Sequence, residues 1–289
     1  MSRVETSSQA SAQAETSAGT SAGTRPGARR PRWTGRDLGI KLAGVAVTLL
    51  LAELCTRAGI LPRRWFPPVS EMYVEFFRLL VARPLWVEIS RTLSGWAIGL
   101  GLGLVLAVPI GMVLGASGTA FRLARVGIEF CRPVPPVALI PLAVLVYGTG
   151  LETKVFLIAF ATFWPLLFQT IYGVQDVDPV AYDTARSYGL NTPARFRTVT
   201  LPSATPYIAT GLRIASSIAL ILAVTAELVI GTPGLGRAII VAQSADATTL
   251  MYALIIATGL LGWILNATFQ AVERRVLRWH PSQRQEVAR

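Results

Sequence analysis

Six apolar runs follow one another along this chain, near 38–55, 91–115, 126–147, 153–174, 208–230 and 250–272. Each has about the 20 residues that a helix needs to cross a hydrocarbon core. Inside lipid only helices and closed barrels satisfy their own backbone, and runs of this length are helical, so the expected fold is an all-α integral membrane protein. Composition agrees. Of 289 residues, 52% are hydrophobic and 15% charged, where a soluble domain carries about 25% charged residues. A water-facing surface built from so few charges would be largely apolar patch.

The net charge is +11, and of 27 basic residues only Lys41 and Lys154 are lysine. A basic balance can signal nucleic acid, but these arginines sit between apolar runs, where loop charges orient a membrane protein. No nucleic-acid partner is expected. With both ends inside, sixteen loop and tail basic residues fall inside and seven outside, which favours an N-in, C-in arrangement. The first outer loop, with Arg57, Arg63, Arg64, Arg78 and Arg83, departs from the rule. Part of 70–83 fits a surface amphipathic helix.

The inventory of reactive residues is short. One histidine, His280, and two separated cysteines, Cys55 and Cys131, exclude multi-histidine metal sites and most histidine-based catalysis. No Gly-x-Ser-x-Gly elbow or His-Glu-x-x-His pair is present, so neither catalytic nor metal-binding residues are expected. A P-loop needs Gly-Lys-Ser or Gly-Lys-Thr, and the two lysines follow Ile40 and Thr153. The chain is not an ATPase by that route, and no cofactor is expected on it.

Two regions carry pattern beyond hydropathy. In the second run Gly95, Gly99, Gly103, Ala107, Gly111 and Gly115 recur every fourth residue, a ridge along which another helix can approach closely. Between the fourth and fifth runs, 175–207 reads as two short helices. Asp178 is an N-cap with Pro179 at the first helical position, and Gly189 is a stop. Thr192 and Pro193 repeat the start, and the second helix is expected to end at Pro202. A face of Val180, Ala181, Ala185 and Tyr188 suits docking to a partner protein.

This segment resembles the "EAA" loop of ABC importer permeases: Glu-Ala-Ala, three residues, Gly, nine residues, Ile-x-Leu-Pro. The chain has Asp183-Thr184-Ala185, three residues, Gly189, nine residues, then Val199-Thr200-Leu201-Pro202. The spacing is kept, with Asp for Glu, Thr for Ala and Val for Ile. Further stretches resemble the branch importing sulfonates, taurine and nitrate. They are Arg132-Pro-Val-Pro-Pro136 through Tyr147-Gly-Thr-Gly150, Phe66-Pro-Pro-Val-Ser70, Leu201 through Arg213, Ala226-Glu227 and Gly234-Leu-Gly236. The likeness covers about 66–280.

The resemblance implies a type-1 importer permease in the cell membrane, usually a homodimer, resting on two ATPase subunits that bind the ATP. An extracytoplasmic solute-binding protein feeds it. The coupling residues would be Asp183, Thr184, Ala185, Gly189, Val199, Leu201 and Pro202. The expected organisation is a disordered cytoplasmic tail over 1–36, a first span and outer loop over 37–84, a core over 85–274 and a basic tail over 275–289. The solute expected is a small anion of the sulfonate, taurine or nitrate type. A permease for a pyrimidine or other vitamin precursor shares these motifs. A channel or secondary carrier needing no ATPase is the rival from another class, but it would need coupling charges at depth, and beyond Glu227 there are almost none.

Two charged residues have open readings. Glu227 falls near the outer end of the fifth run, where a carboxylate is costly and by default functional. It could line or gate the pathway, pair with Arg213 or Arg237, or sit at the interface. Arg132 could pair with Glu129 at i, i+3, or present its planar guanidinium to an anionic solute.

Overall fold

A computed structural model describes residues 35–276; the tails expected at 1–36 and 275–289 lie outside it except for 35–36 and 275–276. All secondary structure among the described residues is helical. In chain order the elements are α1 Gly35–Arg57, α2 Val69–Val81, α3 Arg83–Ala116, α4 Gly118–Cys131 and a 3-10 turn Pro136–Leu139. Then come α5 Ile140–Tyr147, α6 Leu151–Gln175, α7 Pro179–Ser187, α8 Thr192–Arg195 and a π-turn Phe196–Thr200. The last three are α9 Leu201–Ile230, α10 Leu235–Ser244 and α11 Thr248–Val276. The chain divides into two units, 1–50 and 51–289. Of the first, only 35–50 of α1 are described, and Ile40, Val45, Val47 and Leu50 there are exposed, the surface a lipid-facing helix presents.

The third apolar run is not one helix. Pro133, Pro135 and Pro136 lack the N–H that would continue the ladder, so α4 ends at Cys131 and the chain resumes at Pro136, with a bend of 79° between the two halves. Irregular backbone at this depth is tolerated where protein or a cavity covers it.

Neighbouring residues fix the direction of each helix in the second unit. Gly95 faces Lys154 and Gly115 faces Val174, so α3 and α6 run parallel. Two parallel spans require the chain to return across the membrane between them, and the bent α4–α5 pair makes that return. Gly173 meets Ala204 and Tyr207, while Glu227 meets Lys154, so α9 is antiparallel to α6. Arg213 on α9 pairs with Glu273 on α11 at 3.2 Å, and Gly262 sits against Leu220, so α11 is antiparallel to α9. Five crossings follow for 83–276, and α1 adds a sixth apolar helix of spanning length.

The glycine ridge explains why α3 and α6 pack as one body. A Cβ built on Gly99 would lie 2.6 Å from Ile158 Cβ, one on Gly111 2.7 Å from Thr170 Cβ, and one on Gly115 2.7 Å from Val174 Cβ. The ridge therefore fits a matching four-residue series on α6: Lys154, Ile158, Thr162, Thr170 and Val174. In lipid no hydrophobic force drives helices together, so this close van der Waals fit supplies the association. α6 also buries Leu166, Leu167 and Ile171 in one core with Ala215, Ala219, Leu222 and Ala223 of α9. The expected amphipathic segment forms as α2, whose Phe76 packs with Leu254, Ala257 and Leu261 of α11, while Phe77 and Val81 stay exposed.

Candidate functional site

Two sites stand at opposite ends of the bundle. At one end, Asp178 Oδ1 accepts from Val180 N at 2.8 Å and so caps α7, with Pro179 in its first turn. At its other end Gly189 has φ +78°, a conformation that disfavours side chains. Gly189 N donates to Arg186 O at 3.0 Å and Leu190 N to Ala185 O at 3.1 Å, the paired bonds of a Schellman stop. Asn191, rather than Thr192, caps the second short helix, accepting from Ala194 N at 3.0 Å. Replacing Asp178 by alanine removes one capping bond and is expected to cost α7 about 1 kcal/mol. Protease sensitivity of the 176–191 segment measures this, and Asp178→Asn should behave as wild type.

The second short helix does not end at Pro202. It passes through the π-turn, where Leu201 N reaches back five residues to Phe196 O, and continues as α9. A π-turn widens the helix; Pro202 follows directly as the second residue of α9, and the helix runs on past it. Residues 192–230 thus form one apolar helical rod, with Val199 in the π-turn and Leu201 and Pro202 at its exit. Asp183 and Thr184 are exposed, whereas Ala185 turns inward. The outward stripe is Val180, Thr184 and Tyr188, with Val180 71% and Tyr188 82% exposed. Expecting Ala185 on the same outward face was therefore incorrect; at i, i+4 and i+8 only the first three share a line.

At the far end lies a buried polar cluster. Lys154 Nζ is 3.0 Å from Glu227 Oε1, with side chains 2% and 0% exposed. Lys154 also donates to Arg91 O at 3.1 Å and Pro233 O at 3.3 Å, so its three protons all have acceptors. Glu227 Oε2 accepts from Thr92 Oγ1 at 3.0 Å and Gly236 N at 2.9 Å, and Thr92 Oγ1 accepts from Leu235 N at 2.9 Å. The cluster ties α3, α6, α9 and the start of α10 together. Gly236 permits this approach, since a Cβ there would lie 2.7 Å from Glu227 Cβ.

Glu227 therefore pairs with Lys154 and with neither Arg213 nor Arg237. Arg213 is taken by Glu273, and Arg237 is exposed. The sequence offered only a partial signal: Lys154 and Glu227 are opposite charges toward the same side of the membrane, and the packing of α6 against α9 brings them together. Arg132 does not pair with Glu129 either. Glu129 accepts from Arg125 one turn back at 2.6 Å, although Arg132 still has helical backbone and its N donates to Ile128 O at 2.9 Å. Arg132 instead places its guanidinium 4.6 Å from the Phe168 ring centre.

The described residues form a polytopic helical bundle with a structured helix-glycine-helix loop at one end and a sealed charge cluster at the other. The chain belongs to the family of binding-protein-dependent transport system inner membrane components, which matches residues 99–278, and it is the permease of an ABC importer. It is 29% identical to the taurine transport system permease protein TauC of Escherichia coli, over 88% of this chain and 95% of that one. It is 33% identical to the putative aliphatic sulfonates transport permease protein SsuC of the same organism, over 80% of this chain and 88% of that one. The nitrate import permease protein NrtB of Leptolyngbya laminosa is 29% identical over 67% of this chain and 69% of its own length. Among solved structures, the inward-facing MetNI methionine ABC transporter superposes with a TM-score of 0.59 at 17% identity, over 68% of this chain and 99% of that one. An amino acid ABC transporter with histidines gives 0.57 at 21% identity, over 70% of this chain and 97% of that one. These last two speak to fold.

Proposed function

We propose that this permease imports a small oxyanion of the sulfonate, taurine or nitrate type, and that the 178–202 loop couples it to a separate ATPase. The exposed Val180–Thr184–Tyr188 stripe on a capped, glycine-terminated helix carries the coupling reading. An apolar stripe on a short helix outside the spans needs a cover, and a groove on an ATPase supplies one. Gly189 lets the two short helices turn closely against that groove. The 192–230 rod then passes the displacement to the Lys154–Glu227 cluster, which moves α3, α6, α9 and α10 together as a rigid body. In this reading Glu227 braces the bundle rather than gating it. Two copies of the chain meet two ATPase subunits, ATP binds on those subunits, and a solute-binding protein delivers from the opposite side. The relatives named for taurine, aliphatic sulfonates and nitrate support the solute class.

Copurification from membranes tests the coupling reading. A stoichiometric P-loop ATPase is expected with the wild-type chain and is expected to be lost with Gly189→Trp, while the variant still folds. A Cβ on Gly189 has nothing within 4 Å inside this chain, but φ +78° strains any side chain there. Gly189→Ala, with the same backbone strain and little bulk, is therefore the control and is expected to keep the ATPase. A homo-oligomer that conducts solute in liposomes without any ATPase would favour the channel reading instead.

A further inference from the structure

We propose that the cavity behind the break between α4 and α5 is an oxyanion-binding site within the permease, formed around Arg132, Trp164, Gln169 and Tyr172. The inference rests on the importer reading above and adds where, and by which groups, the solute is held inside this chain. The cavity holds about 500 Å³ and lies against α6 and α9, within the roughly 300–1,000 Å³ of small-molecule sites. Trp164 and Phe168 stand near the middle of α6, and Ile218 and Leu222 near the middle of α9, so it sits at the depth of the spans.

Its polar lining is all donor-capable and idle. Trp164 Nε1 is buried with no hydrogen-bond partner, a state that costs about 1–3 kcal/mol unless something fills it. Arg132 is exposed at the mouth of the cavity, meets no carboxylate among the described residues and rests on the Phe168 ring, which positions the guanidinium and leaves its N–H groups open to a ligand. The Gln169 amide and the Tyr172 hydroxyl also line the cavity and make no side-chain hydrogen bond among the described residues. No acidic residue lines it. A cation would find no counter-charge there, and a neutral apolar molecule would leave every donor unmet. A sulfonate, carboxylate or nitrate offers two or three oxygens to one guanidinium and the neighbouring N–H and O–H groups, and Arg suits that geometry. Apolar walls from Pro165, Ile218 and Leu222 leave room for a short hydrocarbon tail. Arginine at this depth would otherwise be costly, which gives its place here a reason.

The test uses the permease with its copurifying ATPase and binding protein in vesicles, with taurine, ethanesulfonate and nitrate as probes. The binding protein sets the solute concentration for half-maximal uptake, so a site inside the permease acts on delivery through the membrane. Arg132→Gln is expected to lower solute imported per ATP hydrolysed at least ten-fold without moving the half-saturating concentration. Trp164→Phe keeps an aromatic six-membered ring, removes the N–H, and should lower the same ratio three-fold or more; Arg132→Lys should recover part of the Arg132→Gln loss. An unchanged ratio in Arg132→Gln or Trp164→Phe would overturn the proposal. So would proportional loss of uptake and hydrolysis in Trp164→Phe, which marks a packing defect. A loss that disappears in vesicles without anionic lipid would assign the cavity to a lipid headgroup, also overturning it. Failure of the importer reading looks different: no ATPase accompanies the wild-type chain.

Discussion

Replacing Glu227 by alanine is expected to destabilise the bundle by about 3–5 kcal/mol, because it leaves the Lys154 ammonium buried without a counter-charge. Lys154 is 2% exposed, and its other acceptors are the carbonyls of Arg91 and Pro233. Those dipoles cannot replace a full charge. The same change strips the acceptor from Thr92 Oγ1 and Gly236 N, so the start of α10 should loosen from α9. Lys154→Met alone is expected to be comparably damaging, since it strands the carboxylate. Combining Lys154→Met with Glu227→Gln removes both charges and keeps an oxygen for Gly236 N. The double variant should therefore be more stable than the sum of Lys154→Met and Glu227→Gln measured singly, by about 0.5–3 kcal/mol. Thermal unfolding in detergent, followed by gel filtration, gives these differences. A Glu227→Ala protein that melts with the wild type would mean the pair contributes nothing.

The second large effect concerns the ridge. Gly99→Leu is expected to abolish a monodisperse folded protein, whereas Gly101→Leu, two residues away, should leave yield and melting unchanged. A Cβ on Gly99 would already lie 2.6 Å from Ile158 Cβ and 3.2 Å from Val155 O, while one on Gly101 meets nothing within 4 Å. Overpacking by single methylenes costs about 1–3 kcal/mol, and leucine adds four carbons where α6 cannot move without disturbing the core that Ile158, Leu167 and Ile171 share with α9. The two substitutions have equal hydropathy and helix propensity. Only contact with α6 separates them, so equal behaviour would refute the ridge.

The sequence made the ridge and the loop legible for different reasons. A strict four-residue spacing of small side chains has one physical use on a lipid-embedded helix, and α6 supplies the partner. The start of α7 was readable because Asp178-Pro179 and Gly189 are local signals, settled by bonds within twelve residues of chain. The end of the second short helix was misread for the converse reason. Proline usually terminates a helix from its own side, but the π-turn at 196–200 carries the chain through Pro202 and on into α9. The Lys154–Glu227 pair lies 73 positions apart, and sequence alone could not rank Lys154 above Arg213 or Arg237. Parallel packing of α3 with α6 and the return of α9 settle that choice. Pairing of Arg132 with Glu129 was one of two readings left open, and the sequence could not show that Arg125 takes Glu129 while Arg132 turns to Phe168 on α6. Of the donors around the cavity, Trp164, Gln169 and Tyr172 share α6 while Arg132 lies past the end of α4, and it is this meeting across the proline break that the sequence did not show.

Coupling through the loop is the central claim, and disulfide-type cross-linking to the ATPase tests it most directly. With Cys55 and Cys131 replaced by serine, a single cysteine at Asp183, exposed on α7, should cross-link to the ATPase in membranes. One at Ser244, exposed on α10 at the far end of the bundle, should not. Cross-linking from Asp183→Cys that changes in extent when ATP is added is the result predicted here. ATP-driven uptake that persists while Asp183→Cys never reaches the ATPase, or an ATPase captured by Ser244→Cys instead, would contradict the account.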